Sequence, residues 1–143
     1  MTVRLGRRYG FPASHRLFNP ALTDEENRDI FGKCANPFGH GHNYEVELTV
    51  RGRVDPVTGR AVDLAVLDAV VESNVLAPFR HRNLNEEVPC FARTVPTTEN
   101  LAVEVHRRLA EAWPSMFGPE TVLEKLRIWE TERNICQLSA TPL

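Results

Sequence analysis

The chain has 143 residues, of which 42% are hydrophobic and 25% charged, and its formal net charge at pH 7 is −2. This size and composition predict a single globular domain spanning residues 1–143. The small net charge gives no reason to expect a nucleic acid partner. Since no stretch approaches the roughly 20 apolar residues of a membrane span and no signal peptide is recognisable, we expect a cytoplasmic protein without membrane association.

The amino-terminal third predicts a strand, a short helix and a loop. Residues 2–15 are predicted to form the first strand. The segment Thr23-Asp-Glu-Glu26 has the Thr-x-x-Glu form of a capping box, which predicts a short helix that reaches about Phe31 and ends at Gly32. Residues 33–41 are then expected to form a loop.

A second strand and a hairpin are predicted next. In residues 44–50 the apolar side chains alternate with glutamate and threonine, which is the pattern of a half-buried strand. Residues 55–59 have the composition of a turn, so residues 61–63 are predicted to return as an antiparallel partner.

Two long helices are predicted in the second half of the chain. Asp63 is placed to cap the first, whose apolar stripe should end at Pro78. Thr97 or Thr98 is expected to cap the second, which should end at Pro114. Both helices have one apolar face and are therefore expected to pack on a sheet.

The remaining segments are a loop and the last strand or strands. Residues 79–85 are polar and irregular, as functional loops often are. Residues 126–130 predict a strand, which residues 135–138 extend or pair with. The order of elements predicts an α+β fold with a four-stranded antiparallel sheet and two main helices on one face.

The most informative pattern is a set of three histidines. His40 and His42 stand two positions apart, so in an extended strand both imidazoles point to one face, and Gly41 between them lets the backbone pass close by. His15 would add a third imidazole from another strand. Three imidazoles without a fourth protein ligand are typical of a catalytic zinc site, so we predict that His15, His40 and His42 bind Zn²⁺. On these residues alone, three ordinary surface histidines remain the alternative.

The three cysteines are odd in number and form no regular framework, which predicts free thiols. Cys90 and Cys136 have apolar neighbours and are expected to be small buried hydrophobes. Cys34 differs because its surroundings are polar and rich in glycine. It is a candidate base or nucleophile beside the metal.

Short motifs follow one another along almost the whole chain: Phe11-x-Ala-Ser-His15, Asp24-Glu-Glu-Asn27, Phe31-Gly-Lys-Cys34, Asn36-Pro-x-Gly-His-Gly-His-Asn-Tyr44, His81-x-Asn-Leu84, Val88-Pro89, Thr97-Thr-Glu-Asn100 and Glu130-Thr131. Together they resemble the 6-pyruvoyl-tetrahydropterin synthase family. The resemblance implies the tunnelling fold (T-fold), in which three subunits join their sheets into a barrel and two trimers stack as a homohexamer. It implies a zinc-dependent lyase that converts 7,8-dihydroneopterin triphosphate to 6-pyruvoyl-tetrahydropterin and eliminates triphosphate.

The resemblance also implies roles for four residues. Cys34 is the proton-abstracting residue, and His81 completes the proton transfer. Glu130 corresponds to a carboxylate that anchors the pterin ring, and Thr98 belongs to a second substrate-binding segment. Glu130 shares a strand face with Leu126 and Ile128, where an unpaired carboxylate would be costly and a ligand is therefore favoured. For Thr98 the alternative is a plain helix cap.

Arg80 departs from the family pattern, which has an aspartate just before the histidine. An arginine neither orients an imidazole nor raises its basicity as a carboxylate does. Three accounts stay open: Glu86 or Glu87 orients His81 instead; Arg80 favours the Cys34 thiolate or contacts the triphosphate; or the activity is lowered or redirected.

Two other functions are weighed against the leading one. The first is 6-carboxy-tetrahydropterin synthase, a sibling enzyme of queuosine biosynthesis acting on the same substrate. The second is a non-catalytic homologue that binds a pterin or a metal. Four arginines near the start of the chain either form a solvated strand face or help to attract the triphosphate: Arg4, Arg7, Arg8 and Arg16.

Overall fold

The computed structural model describes residues 1–140. The elements in chain order are β1 (Thr2–His15), α1 (Asp24–Phe31), β2 (His40–Arg53), α2 (Leu64–Val71), α3 (Ala77–Phe79), β3 (Arg82–Asn83), α4 (Leu84–Glu87), α5 (Thr98–Met116), β4 (Val122–Trp129) and β5 (Ile135–Ser139). Single turns of 3-10 helix cover Gly32–Ala35 and Pro89–Ala92, and a π-helical turn, Glu72–Leu76, joins α2 to α3. No helix within residues 1–140 is long and apolar enough to cross a membrane.

The sheet has five strands in the order β3-β1-β2-β4-β5. Strands β1 and β2 pair antiparallel over their full length, from Thr2 opposite Arg53 to His15 opposite His40. The two-residue strand β3 pairs parallel with β1. The α+β class is therefore confirmed, but the predicted four-stranded antiparallel sheet is wrong, because the sheet is mixed and has five strands.

The predicted strand at residues 61–63 is also wrong. Strand β2 already pairs with β1 on one side and β4 on the other, so it has no free edge for a third partner. Residues 55–60 instead close a tight turn, in which the backbone nitrogen of Asp55 donates to the carbonyl oxygen of Arg60 at 2.9 Å. The chain then passes so close to Gly52 that a Cβ there would collide with the Ala61 carbonyl.

The helix boundaries follow the predicted caps more closely than the predicted prolines. Thr23 closes a complete capping box with Glu26, and Asp63 and Thr97 cap α2 and α5 through their side chains. Neither proline ends its helix as predicted. Pro78 lies in the first turn of α3, where its missing N–H is tolerated, and α5 continues past Pro114 to Met116.

The hydrophobic core lies between one face of the sheet and the helices. The side chains that alternate along β1, β2 and β4 are buried against α2, α3 and α5, and the most deeply buried include Phe11, Tyr44, Leu48, Leu67, Phe79, Leu109 and Ile128. Each such side chain contributes roughly 1.5–3 kcal/mol through burial. Because the histidines are on the strands of this sheet, the core fixes their positions.

Candidate metal and catalytic site

The three candidate metal ligands converge at one end of the β1–β2 hairpin. His15 is the last residue of β1 and pairs with His40, the first residue of β2, while His42 pairs with Ala13. Since side chains two positions apart share a strand face, the three imidazoles meet on the buried side of the sheet. One ring nitrogen from each lies within 4.8 Å of the other two, and Nε2 of His15 is 3.1 Å from Nε2 of His40.

The protonation of this histidine group suits metal binding. Nδ1 of His15 lies 2.8 Å from the carbonyl oxygen of Pro96, so Nδ1 donates and Nε2 keeps its lone pair for a metal. The Tyr44 hydroxyl is 3.3 Å from the same Nδ1. Burial lowers the pKa of His15 and of His42, which favours the neutral imidazoles that bind metals.

His42 supplies the clearest sign that something is bound. Its Nε2 is buried and has no hydrogen-bond partner within the described chain, although buried polar atoms are nearly always paired. A cation between the three imidazoles would satisfy this nitrogen and would also take the lone pair on Nε2 of His15, whose only neighbour at hydrogen-bond distance among the described residues is Nε2 of His40. The donor set fits a three-histidine zinc site with an open position.

Glu130 lies directly beside this histidine group. Its two carboxylate oxygens are each 3.9 Å from an imidazole nitrogen, Oε2 from Nε2 of His15 and Oε1 from Nε2 of His42. The Thr98 hydroxyl donates to Oε2 at 2.8 Å, and the Asn134 amide donates to Oε1 at 3.1 Å. Burial raises the pKa of Glu130, but the hydrogen bonds from Thr98 and Asn134 oppose it, and the net pKa lies below the ordinary value.

Glu130 is therefore paired within the protein, so the cost of an unpaired carboxylate no longer argues for a ligand. Asn134 was missed because its role comes from the tight turn after β4, where the Glu130 nitrogen donates to the Asn134 carbonyl oxygen at 3.0 Å. The only available signal was an asparagine four residues beyond the glutamate, in a segment of turn composition. The hydrogen bond between His15 and Pro96 could not be predicted from a side-chain pattern, because its acceptor is a backbone carbonyl.

Cys34 lies on the 3-10 turn that precedes β2, and its side chain is half-buried. Its carbonyl oxygen accepts a 2.7 Å hydrogen bond from the backbone nitrogen of Leu17, and the Arg16 guanidinium donates to the Ala35 carbonyl oxygen at 2.7 Å. Arg16 and Leu17, which directly follow His15, therefore fix the position of the Cys34 turn through hydrogen bonds.

The other two cysteines are free and half-buried, and both pack against the core. Burial raises the pKa of the Cys90 and Cys136 thiols, which keeps both protonated. They pack as the small hydrophobes that the sequence predicts, but they are half-buried and not fully buried as expected.

Comparison with known proteins identifies the family. A family model described as 6-pyruvoyl tetrahydropterin synthase matches residues 4–141. The chain belongs to the 6-pyruvoyl tetrahydropterin synthase family. It is 49% identical to 6-pyruvoyl tetrahydrobiopterin synthase of Poecilia reticulata over 87% of its own length and 82% of that protein. It is 47% identical to the Homo sapiens protein of that name, over 93% of its own length and 88% of the relative.

A solved structure supports the same relationship. The structure of Caenorhabditis elegans 6-pyruvoyl tetrahydropterin synthase superposes with a TM-score of 0.87 at 40% identity, covering 99% of this chain and 97% of that one. The family resemblance predicted from the short motifs is confirmed.

Within this family member, His81 makes no hydrogen bond to the histidine group in the described residues. It has a positive φ of 59°, and its backbone nitrogen donates to the Pro12 carbonyl oxygen at 2.7 Å. Its exposed side chain lines a groove of about 380 Å³ that His42 of the histidine group also lines; the other lining residues are Pro12, Ala13, Ser14, Gly41, Asn43 and Arg82. By strand alternation the side chains of Pro12, Ser14 and Asn43 point away from the face that carries the three imidazoles, whereas His42 belongs to both the groove lining and the histidine group. The His81 imidazole makes no hydrogen bond to His15, His40 or His42 within residues 1–140.

Arg80, the departure from the family pattern, is engaged elsewhere. Its two terminal nitrogens each donate to a different oxygen of Glu72 at 2.9 Å, so the pair is bidentate. Glu87 accepts from the backbone nitrogen of Asn83 at 2.6 Å and pairs with Arg82 at 3.5 Å. Neither the Arg80 guanidinium nor the Glu87 carboxylate makes a hydrogen bond with His81 within residues 1–140.

Proposed function

We propose that this protein is a zinc-dependent 6-pyruvoyl-tetrahydropterin synthase, a carbon–oxygen lyase. Its substrate would be 7,8-dihydroneopterin triphosphate, and the products 6-pyruvoyl-tetrahydropterin and triphosphate. The observation that carries the proposal is the convergence of the three imidazoles, with Nε2 of His42 lacking a partner within residues 1–140, in a chain of this family.

His15, His40 and His42 would bind the metal and leave one coordination position open for the substrate. When bound, zinc supplies a Lewis acid for the two side-chain hydroxyls, which makes the adjacent C–H bonds more acidic. The buried position of His15 excludes competing water from the inner side of the group, and the Pro96 carbonyl keeps His15 in the correct tautomer.

Cys34 and His81 are the proposed proton-transfer residues. The Cys34 thiolate would take a proton from a side-chain carbon, and His81 would complete the transfer. Breaking the carbon–oxygen bond of the ester sends its electron pair to the departing triphosphate. Tautomerisation then leaves two keto groups, so carbon atoms of the substrate exchange oxidation levels among themselves and no nicotinamide or flavin is needed.

Glu130 and Thr98 are the proposed substrate-binding residues. Each Glu130 oxygen accepts one hydrogen bond from the protein and keeps a further lone pair. Those lone pairs suit the two parallel donors on the 2-amino and N3–H edge of a pterin. The Thr98 hydroxyl is used to hold Glu130, so its contribution to substrate binding would pass through that carboxylate.

We further propose that the active form is the T-fold homohexamer, a dimer of trimers. Strand β5 pairs with β4 on one side, and its other edge has no partner within residues 1–140. Such an edge is a ready site for pairing with a second copy. His81 makes no hydrogen bond to the imidazoles within residues 1–140, which also supports a site completed by a neighbouring chain. A cytoplasmic location stays a prediction.

One incubation tests the proposed function. Zinc-loaded protein is mixed with 7,8-dihydroneopterin triphosphate, and the products are identified by mass. We expect a pyruvoyl pterin and one equivalent of triphosphate. A carboxy pterin with acetaldehyde would assign the sibling reaction instead, and absence of turnover in protein of verified zinc content would reduce the chain to a non-catalytic homologue.

A further inference from the structure

The four arginines near the amino terminus differ in whether their charge is balanced. Arg4 pairs with Glu124, Arg7 with Asp68 and Arg8 with Glu47. Arg16 has no carboxylate partner among residues 1–140, and its Nε is buried without a hydrogen-bond acceptor. Nε of Arg127 is also buried without an acceptor, but Arg16 differs in lining a cavity, where its free N–H suits an anion that is not part of the protein.

The Arg16 guanidinium is nevertheless held in a fixed position. Its Nη2 donates to the Ala35 carbonyl oxygen at 2.7 Å, and the group stacks on the Phe18 ring, 4.0 Å from the centroid. Neither contact neutralises the charge. A pre-positioned guanidinium loses little side-chain entropy when it binds an anion, which is the arrangement that phosphate recognition uses.

A cavity of about 430 Å³ opens beside Arg16. Arg28 and Lys33 also line it, and neither side chain makes an ion pair or hydrogen bond within the described chain. The only carboxylate in the lining is Asp24. Three cations against one carboxylate leave the cavity electropositive, and its volume lies in the range of ligand sites, about 300–1,000 Å³.

None of the proposed metal-binding or proton-transfer residues lines this cavity, but two of the cations that line it are their direct neighbours in the sequence. Arg16 directly follows His15, and Lys33 directly precedes Cys34. The triphosphate ester of the proposed substrate is attached to the same short side chain as the two hydroxyls. The protein site that binds the triphosphate therefore has to lie near the residues that bind the hydroxyls and remove the proton.

We propose that this cavity binds the triphosphate chain of the substrate through Arg16, Arg28 and Lys33. The inference rests on the proposed function and deepens it by assigning residues to the leaving group. The three cations bind the triphosphate in the ground state and stabilise the negative charge that grows on it as the carbon–oxygen bond breaks. Binding and turnover are both expected to depend on them.

Arg28 and Lys33 are the residues to change, because Arg16 also supports the Cys34 turn. The test variant is Arg28→Gln with Lys33→Gln. The matched control is Arg60→Gln with Arg93→Gln, which removes the same two charges from exposed positions outside the cavity. For each protein, loaded with zinc, the Kd of inorganic triphosphate is measured by calorimetry, and zinc content is measured again afterwards because triphosphate chelates metals.

Steady-state kinetics provide the second measurement. The KM for 7,8-dihydroneopterin triphosphate is compared with the Ki of unphosphorylated 7,8-dihydroneopterin, which has the pterin and hydroxyls but no phosphate. In the test variant we expect the Kd of triphosphate and the KM of the substrate each to rise at least about ten-fold, while the Ki of the unphosphorylated pterin changes by less than about two-fold. The control variant should match the parent in all three values.

Three results would overturn the assignment: an unchanged Kd, an equal loss in the control variant, or an equal loss for the unphosphorylated pterin. Failure of the proposed function gives a different result. If the parent releases no pterin product yet its binding of inorganic triphosphate still depends on Arg28 and Lys33, the reaction is refuted and the cavity assignment stands.

Discussion

The Thr98 hydroxyl donates a 2.8 Å hydrogen bond to Oε2 of Glu130, although the two residues stand 32 positions apart. Thr98 is the first residue of α5, and Glu130 directly follows β4. The neighbouring Thr97 makes the helix cap, with its side chain accepting from the Asn100 nitrogen, so the hydroxyl of Thr98 is free for the carboxylate. The bond links the start of the helix to the edge of the histidine group.

Replacing Thr98 by valine should therefore disturb Glu130 without opening a cavity. The variant keeps the side-chain shape but leaves one oxygen of a largely buried carboxylate without its donor, so we expect a loss of about 1–3 kcal/mol in the free energy of unfolding. Turnover should fall about ten-fold as the carboxylate loses its orientation. Denaturant unfolding and steady-state kinetics measure the two effects. Thr98→Ser is the control and should retain most of both; equal losses in the serine variant would mean that the hydroxyl is not the cause.

Metal binding should require all three imidazoles. Elemental analysis of protein purified without chelators is expected to give about one zinc per chain, and His42→Ala should lower zinc affinity by at least about 100-fold. Zinc should also raise the melting temperature of the parent, because it binds the folded state. His106→Ala, on α5, serves as the control and should keep its zinc. Full turnover by protein of verified zero metal content would rule out the metal assignment.

Changing Cys34 should separate chemistry from metal binding. Cys34→Ala removes the proposed base while leaving the backbone bond between its carbonyl and Leu17 intact. We expect zinc content and melting temperature close to the parent and turnover at least about 100-fold lower. Cys136→Ala, at a half-buried position on β5, controls for the loss of a thiol. Near-parental turnover in the Cys34 variant would remove this residue from the mechanism.

Arg80 should matter less to catalysis than its position next to His81 suggests. Because its guanidinium is bound to Glu72 by two hydrogen bonds, Arg80→Gln and Glu72→Gln should each change the free energy of unfolding by about 0–1 kcal/mol and turnover by less than about three-fold. A double-mutant cycle measures the coupling of the pair. A large loss of turnover in Arg80→Gln but not in Glu72→Gln would instead give the arginine a direct part in the reaction.

A second substitution at this position tests the family pattern itself. If Arg80→Asp raised the output of pyruvoyl pterin many-fold, the natural reaction of this protein would lie elsewhere or be weak. The matched variant is Arg80→Asp with Glu72→Gln, which removes the repulsion that two neighbouring carboxylates would otherwise create.

Local patterns predicted the helix starts and the histidine group. The caps at Thr23, Asp63 and Thr97 depend only on residues within one turn, and the common face of His40 and His42 follows from the two-residue period of a strand. Strand pairing could not be predicted in the same way. Whether 61–63 joins the sheet depends on which edges of β2 are already occupied, and that is decided by β4, more than 60 residues later.

The site shows the same division between local and distant information. His15 was recognised from its own motif, whereas its hydrogen bond to the Pro96 carbonyl joins residues 81 positions apart and has no side-chain pattern. Asn134 holds Glu130 only because a turn brings the two together. The bidentate pair of Arg80 with Glu72 likewise depends on the π-helical turn that lies between them and sets the path of the chain into α3.

Stability at low pH should depend on Glu104, a buried carboxylate of α5 outside the site. It is 8% exposed and accepts hydrogen bonds from Arg107 at 2.8 and 2.9 Å and from Arg108 at 2.7 Å. The bonds from Arg107 are the main reason why its pKa is lowered from the ordinary value of 4.5, against the opposing effect of burial, with Arg108 adding to the shift. A carboxyl whose pKa is lower in the folded state stabilises the fold above its ordinary pKa.

That stabilisation is lost as the pH falls through the lower folded value. We therefore expect the free energy of unfolding to decline as the pH falls below about 4.5, and Glu104→Gln to make this decline shallower. At pH 7 the same variant should be less stable by about 1–3 kcal/mol, because the charged acceptor of two arginines is gone. Urea unfolding at a series of pH values measures both. Glu111→Gln, which loses a mostly exposed partner of Arg107, should change the stability by only about 0–1 kcal/mol; an equal effect of the two variants would contradict the role of the buried carboxylate.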